Sequence, residues 1–563
     1  MTKIIIYQVL PRLFGNTNRT RKFNGSYEEN GCGKLNDFTP KALEKIKQLG
    51  TTHIWYTGVI EHALQTDYSH FGISKDFPEV VKGKAGSPYA IKDYYDINPD
   101  LAEDVPNRMQ EFEALINRTQ ESGLKTIIDF VPNHLARQYN SDAKPKDTKE
   151  FGEADNTDTN FNANNNFYYL PTEPFSSPIS GINEHEHYIE KPAKVTGNDC
   201  MSNKPTINDW YETIKLNYGV DIFNGNSKHF EPIPNTWERM LEILLFWANK
   251  KVDGFRCDMA EMVPVEFWHW VIPKVKDKYP HIIFIAEVYN PDLYRQFITH
   301  GGFDFLYDKV GVYDSLKAVM QGHAKPNSIT KAWDSVTGIQ QHMLFFLENH
   351  DEQRIASPFF AGDAKKGIPA MIVSGCMYTN PLMLYFGQEL GEAGMDKEGF
   401  SGEDGRTTIF DYWGVEQYQN WVNDKKFDGG LLSDAAADLR AWHIHFINTI
   451  KNHEAITQGQ LYDLMWYNED NPSFDGDKIF AFLRYFKGKI LLIVVNFSDE
   501  KLKCRVKIPA HAFFSMGMES KKYFKGIDLL GGENIISFPQ EVAITNGAGL
   551  RLKPYSGRIY ELS

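Results

Sequence analysis

Asp258, Glu287 and Asp351 are the side chains of this 563-residue sequence whose types and settings could do chemistry together. Each follows a short apolar run: Gly254-Phe255-Arg256-Cys257-Asp258, then Ile282-Ile283-Phe284-Ile285-Ala286-Glu287, then Phe345-Phe346-Leu347-Glu348-Asn349-His350-Asp351. Side chains alternate along a strand, so Arg256 and Asp258 share one face and Cys257 takes the other. A guanidinium two residues before a carboxylate holds that carboxylate ionised and fixed in rotamer, which an anionic nucleophile requires. A structural ion pair has the same spelling, and any single acid at a strand end is ordinarily just solvated. The set is more informative than its members. Acetal cleavage needs one acid to protonate the leaving oxygen and one carboxylate to attack or stabilise the anomeric carbon. Glu287 would carry the proton, because ionised Asp258 and Asp351 nearby disfavour its own charge. Asp258, held by Arg256, would attack.

These groups converge only if their strands do. Strand-like runs occur at 4–9, 53–56, 126–131, 254–258, 282–287, 303–307, 343–347 and 382–386, with helical patterns at 40–49, 108–122, 236–250, 265–276 and 433–452. Eight strands alternating with helices predict a (β/α)8 TIM barrel of parallel strands, whose catalytic groups gather at the strand C-termini. The third run ends in Asn133-His134, which adds a histidine to that face. Between 134 and 232 the sequence is rich in Asn, Asp, Gly and Pro and lacks periodicity, which is too long for a loop and reads as an inserted domain. From 459 onward, runs at 479–485, 489–496, 549–552 and 558–562, with Lys487-Gly488 as a hairpin signal, predict a C-terminal antiparallel β-sandwich. The expected division is therefore barrel 1–133 and 233–458, insert 134–232 and sandwich 459–563.

Composition narrows the partners. A formal net charge of −14 argues against nucleic acid, whose binding depends on Lys and Arg. No run of about 18 uncharged apolar residues suggests a membrane span. Aromatics make up 14% of residues, which suits large cores first and sugar-stacking surfaces second. Five scattered cysteines (Cys32, Cys200, Cys257, Cys376, Cys504) read as reduced thiols, with Cys257 in the core. The opening residues run directly into a strand, so the expected location is cytoplasmic, although a trimmed periplasmic or secreted protein would look the same.

The segments Asp129-Phe130-Val131-Pro132-Asn133-His134, Gly254–Asp258, Ile285-Ala286-Glu287 and Phe346–Asp351 resemble, in order, the signature regions of the α-amylase family of glycoside hydrolases (family 13). Residues 6–12, 54–58 and 381–389 extend the resemblance over most of the chain. It implies a barrel with an insert (domain B) after the third strand and a C-terminal domain C. It also implies a retaining double displacement on α-1,4-glucosidic bonds of starch, glycogen or maltooligosaccharides. Asp258 would be the nucleophile, Glu287 the general acid/base, and Asp351 would bind and distort the sugar. Arg256 would orient Asp258, His134 and His350 would hydrogen-bond the bound glucose, and Tyr89 would stack beneath it, its alternative being a plain loop aromatic. The chemistry would need no cofactor.

Two departures leave matters open. Where many relatives follow the nucleophile with Lys-His, this sequence has Met259-Ala260-Glu261-Met262. Exo-action, α-1,6 specificity and transglycosylation by a glucanotransferase therefore stand beside hydrolysis as alternatives, with a non-catalytic amylase-like binding protein disfavoured by the intact acids. Asn133 matches a family calcium ligand, but its histidine partner is missing, and the loop at 16–37 lacks the spacing of a calcium loop. A structural calcium is left open. His185-Glu186-His187 reads as a solvated loop, and His443 and His445 as structural.

Overall fold

The computed structural model describes residues 2–179, 187–531 and 535–563. Eight strands, β1 (Ile5–Val9), β2 (His53–Tyr56), β3 (Lys125–Phe130), β4 (Gly254–Cys257), β5 (Ile283–Ala286), β6 (Phe305–Tyr307), β7 (Met343–Leu344) and β8 (Leu382–Tyr385), form one sheet in the order β7-β6-β5-β4-β3-β2-β1-β8. Neighbours pair in parallel, and a parallel bridge from Phe345 to Leu382 closes β7 on β8, which makes the sheet a (β/α)8 barrel. The seventh strand is shorter than the expected 343–347. After Phe345 the chain leaves the ladder and carries Glu348–Asp351 across the barrel mouth.

Helices α1 (Pro40–Gln48), α2 (Arg108–Glu121), α3 (Asn235–Asn249), α4 (Val265–Lys278) and α5 (Asp434–Ile450) lie on the outside. In α3 the buried set Met240, Ile243, Leu244 and Trp247 recurs at helical spacing, so one stripe is sealed against the sheet. Alternation along β4 sends Phe255 and Cys257 into this barrel–helix layer and Arg256 into the barrel interior. The interior is filled from the other strands by Ile6, Trp55, Ile127, Ile285, Tyr307, Leu344 and Met383. Arg256 is thus a fully buried cation ringed by apolar and aromatic groups, and only the acids at the mouth can balance it. All five cysteines are free thiols, and Cys257, Cys376 and Cys504 are buried.

Between β3 and α3 the described residues form little regular structure. Two-stranded antiparallel ladders pair His134–Ala136 with Thr213–Lys215, Tyr169–Leu170 with Ala193–Lys194, and Val220–Asp221 with Ser227–Lys228. Beyond residue 459 an antiparallel six-stranded sheet and a separate two-stranded ladder (Leu502–Val506 with Ala548–Leu552) make the C-terminal sandwich. Its central hairpin turns through Lys487 and Gly488, both at positive φ (45° and 82°), the geometry that suits a tight turn between twisted strands. Arg484, fully buried, donates to the carbonyls of Met377, Ala455, Ile456 and Gly459 and so fastens this sheet to the barrel. No described helix is long and apolar enough to cross a membrane.

Candidate active site

The ends of β4, β5, β7 and β3 bring Asp258, Glu287, Asp351, His350 and His134 to one cleft of about 410 Å³, with Tyr89 on its wall. Arg256 is the hub. Its Nη1 donates to Asp258 Oδ1 at 2.6 Å and lies 3.4 Å from Asp129 Oδ1, and its Nη2 sits 2.8 Å from Glu287 Oε2. Its Nε donates to Tyr307 Oη at 3.3 Å. One planar guanidinium therefore spans the two carboxyl groups expected to react, which a point-charge ammonium could not do in the same plane.

Glu287 has two further donors. The Tyr289 hydroxyl donates to Oε1 at 2.6 Å and the Met259 amide to Oε2 at 2.8 Å. Met259 follows the expected nucleophile with φ +43°, a left-handed conformation uncommon for a side chain of this size. This conformation accompanies the turn of its N–H toward Glu287. The expectation that Arg256 alone holds Asp258 ionised is not met, because burial pushes this carboxyl well above the usual carboxylate range. Contact with Arg256 opposes that rise and the charge of Glu287 adds to it. Asp351 behaves differently. Burial works against its charge, but His350, Arg256 and Arg406 outweigh it and hold the carboxyl below its ordinary range. Its side chain remains 41% exposed, open to whatever enters the cleft.

His350 is fixed from both sides. Gln8 Nε2 lies 2.8 Å from its Nδ1, while Tyr89 Oη and Asp351 Oδ2 lie 2.6 and 3.0 Å from its Nε2. Tyr89 also stacks on the imidazole, with ring centroids 5.1 Å apart. His134 is pushed down to about 3, chiefly by burial and then by Lys215 and Lys82. It is therefore a neutral ring, suited to hydrogen bonding and not to proton transfer near neutral pH.

Sequence reasoning missed four contributors: Tyr289, Tyr307, Gln8 and the carboxylate of Asp129, which accepts from Trp55 Nε1 at 3.0 Å while it faces Arg256. Tyr289 lies two residues past Glu287, the same-face spacing that marked Arg256 and Asp258, so that signal was present. Gln8 and Tyr307 sit at the ends of β1 and β6, positions that a full census of strand ends would include. Glu261, singled out as an unexpected acid, is a brace: its Oε2 accepts from the Tyr289 and Asn290 amides, both at 2.9 Å, and so holds the turn that presents Tyr289.

Residues 8–428 match the family model of the alpha amylase catalytic domain. The chain belongs to the alpha-amylase family. Alpha-amylase 3 of Dictyoglomus thermophilum is 23% identical over 444 residues, 74% of this chain and 70% of its own. Alpha-amylase MalA of Haloarcula japonica is 24% identical over 490 residues, 85% of this chain but 54% of its own, so this chain spans about half of that relative. The crystal structure of the alpha-amylase from Geobacillus thermoleovorans complexed with acarbose shares the fold, with a TM-score of 0.64 at 17% identity over 100% of this chain and 98% of that one. This amylase-family protein is thus a glycoside hydrolase, and the family's chemistry needs no cofactor.

The family's calcium ligand at Asn133 does not fit a metal in this alpha-amylase relative. Lys215 Nζ, buried, donates to Asn133 Oδ1 at 2.9 Å and pairs with Asp199 Oδ1 at 2.7 Å, so an ammonium occupies the space between these oxygens. The Asn133 amide is thereby oriented with its Nδ2 toward the Gly197 carbonyl (2.8 Å) and His134 Nδ1 (3.1 Å). That leaves His134 Nε2 as the protonated nitrogen. Gly197 cannot be larger, since a Cβ there would lie 2.6 Å from Thr213 Oγ1. In the 16–37 loop, Asn16 Nδ2 is spent on the Asn30 and Trp413 carbonyls, and Asp37 pairs with Lys425. His185 and Glu186 lie outside the described residues, and the exposed His187 meets Glu79 Oε1 at 2.7 Å. His443 Nδ1 bonds the Leu439 carbonyl in its own helix, and His445 Nε2 bonds that of Leu529.

Proposed function

We propose that this enzyme hydrolyses α-1,4-glucosidic bonds of starch, glycogen or maltooligosaccharides with retention of configuration. The catalytic machinery lies on the barrel (1–133 and 233–458), flanked by the insert (134–232) and the sandwich (459–563). The observation that carries the reading is the single guanidinium of Arg256 reaching both Asp258 and Glu287. A pair held that closely suits a nucleophile and an acid/base some 5–5.5 Å apart, whereas inverting enzymes separate theirs by roughly 6.5–9.5 Å to admit a water. Asp258 attacks the anomeric carbon, and Glu287 protonates the departing oxygen and then activates water. Asp351, held ionised beside His350, takes the sugar hydroxyls and favours the distorted ring. His134, His350 and Tyr89 line the wall that the ring would occupy, with Arg256 as the positioning residue. The names of the alpha-amylase relatives support the α-glucan substrate.

Proton NMR of fresh maltoheptaose digests tests this directly. The first reducing ends released should be the α-anomer, and β-anomer appearing first would overturn the retaining assignment. Oligosaccharides longer than the substrate, early in a maltotriose reaction, would assign the enzyme to transfer instead of hydrolysis.

A further inference from the structure

We propose that Glu61, Asp93, Asp96 and Asp142 form a binding site for a hard divalent cation, calcium by its chemistry, that fastens the segment after β2 to the start of the insert. One carboxylate oxygen from each residue lies within 4.8 Å of all the others. Glu61, Asp93 and Asp96 are buried (1%, 0% and 3% exposed), while Asp142 reaches in from the surface. The site is separate from the Asn133 position, where Lys215 already supplies the positive charge.

The neighbouring donors do not balance this group. Arg108 Nη2 takes Asp96 Oδ2 at 2.5 Å, and the Ile97 amide takes Oδ1 at 2.7 Å. Asp93 accepts from the Tyr95 amide at 2.8 Å, Ser141 Oγ at 2.6 Å and the Ala143 amide at 3.0 Å. Lys92, the other nearby cation, is committed to Asp76 at 3.0 Å and to the Ser74 carbonyl. Glu61 is left over. Its Oε2 is fully buried, has no protein donor within hydrogen-bonding distance, and belongs to the carboxylate group just described. A buried carboxylate oxygen without a donor, beside three more carboxylates, is costly for the protein alone. It is also what a hard cation that takes six to eight oxygen ligands requires. The donor set is all carboxylate oxygen, which selects calcium or magnesium over zinc or copper. His62, next in sequence, faces the other way, with Nε2 2.6 Å from Arg12 Nη2.

The location gives the ion a role. Glu61 and Asp93 are cross-strand partners in the hairpin of Ile60–His62 with Ile91–Ile97, whose register is irregular on both sides of Glu61. Tyr89 enters the cleft two residues before that hairpin's second strand, and Asp142 stands at the entry to the insert. A cation there cross-links the hairpin that carries Tyr89 to the insert's first loop.

The test uses the full-length protein, stripped with EDTA, dialysed and titrated with calcium chloride. Calorimetry should show one ion per chain, and the unfolding temperature should rise by several degrees at millimolar calcium, because the ion binds only the folded form. Glu61→Gln and Asp142→Asn should each weaken calcium binding by about tenfold or more, since charge count sets affinity at such sites. Asp142 is exposed, so its variant reports even if Glu61→Gln folds poorly. No heat and no thermal shift with wild type, up to about 10 mM calcium or magnesium, would overturn the proposal. An undiminished shift in both variants would overturn it too, by placing the ion elsewhere. A wild type indifferent to calcium, with Glu61→Gln more stable than it, would mean that the four acids share a proton and hold no metal.

Discussion

Arg256 in the barrel interior and Lys215 in the insert are both buried cations, and they make different contacts. Arg256 presents a flat fork with two acids on its two arms, Asp258 and Glu287, and a third, Asp129, near the first. Lys215 presents a compact charge to one carboxylate and one amide oxygen and ties Asn133 at the end of β3 to Asp199 in the insert. Shape, not charge, separates the two: the planar fork spans two carboxyl groups, whereas the ammonium sits between a single carboxylate and an amide oxygen. The group around Glu61 is a third case, with acids gathered, Arg108 at its edge and Lys92 turned to Asp76.

The largest expected effect tests the acids on the Arg256 fork. Asp258→Asn and Glu287→Gln should each lower kcat by about a thousandfold or more, with unfolding curves near wild type. Near-normal turnover in either would remove Arg256 from the centre of the mechanism. Arg256→Lys then separates shape from charge: it keeps the cation but loses the fork, and should cost about a hundredfold in kcat/KM. Activity within a few-fold of wild type would mean that charge alone suffices. At the other cation, Lys215→Met should act mainly on stability, lowering it by about 1–3 kcal/mol as Asn133 and Asp199 lose their shared donor. Steady-state kcat at a temperature where the variant is folded should stay within tenfold, and a catalytic loss matching that of Arg256→Lys would erase the distinction. A finer test is Tyr289→Phe, which removes one donor from Glu287 and should displace the pH profile of kcat/KM with a loss of only about tenfold. An unmoved profile would make Tyr289 a packing residue.

A separate effect, outside catalysis, is on stability against pH. His53, His62 and His134 are pushed down to about 3 and His443 to about 4, in each case chiefly by burial. The unfolded chain protonates these rings near 6.5 and the folded one does not, so each contributes stability that is lost as pH falls from about 6.5 toward those values. Replacing His443 by Gln should remove about one proton from the slope of stability against pH in that window, as followed by urea unfolding.

The strand-end pattern was legible because a barrel strand is short, apolar and bounded by the polar group it delivers. Runs such as Gly254–Asp258 and 282–287 therefore mark both the element and its cargo. The exceptions have physical reasons. β7 ends at Leu344 because its last residues cross the mouth, which hydrophobicity cannot reveal. Glu261 stands in the segment where many relatives carry Lys-His, yet its partners are two backbone amides that no side-chain pattern displays. The metal question also changed position: Asn133 drew attention through its motif, yet its oxygen faces Lys215, some eighty residues on, while the unpartnered acid is Glu61.

By itself the amino-acid order determined the barrel, the insert, the sandwich and which acids reach the mouth, because alternation and periodicity are local and repeat eight times over. Tertiary structure alone decided which charges meet. Arg256 faces Glu287 across neighbouring strands, Lys215 reaches Asn133 from the insert, and Glu61 and Asp93 meet Asp142 across a hairpin. Such contacts depend on register and fold-back between distant segments. Electrostatics falls off over a few ångströms while sequence separation runs to tens or hundreds of residues, so the roles of these charged groups became definite only when the chain closed on itself.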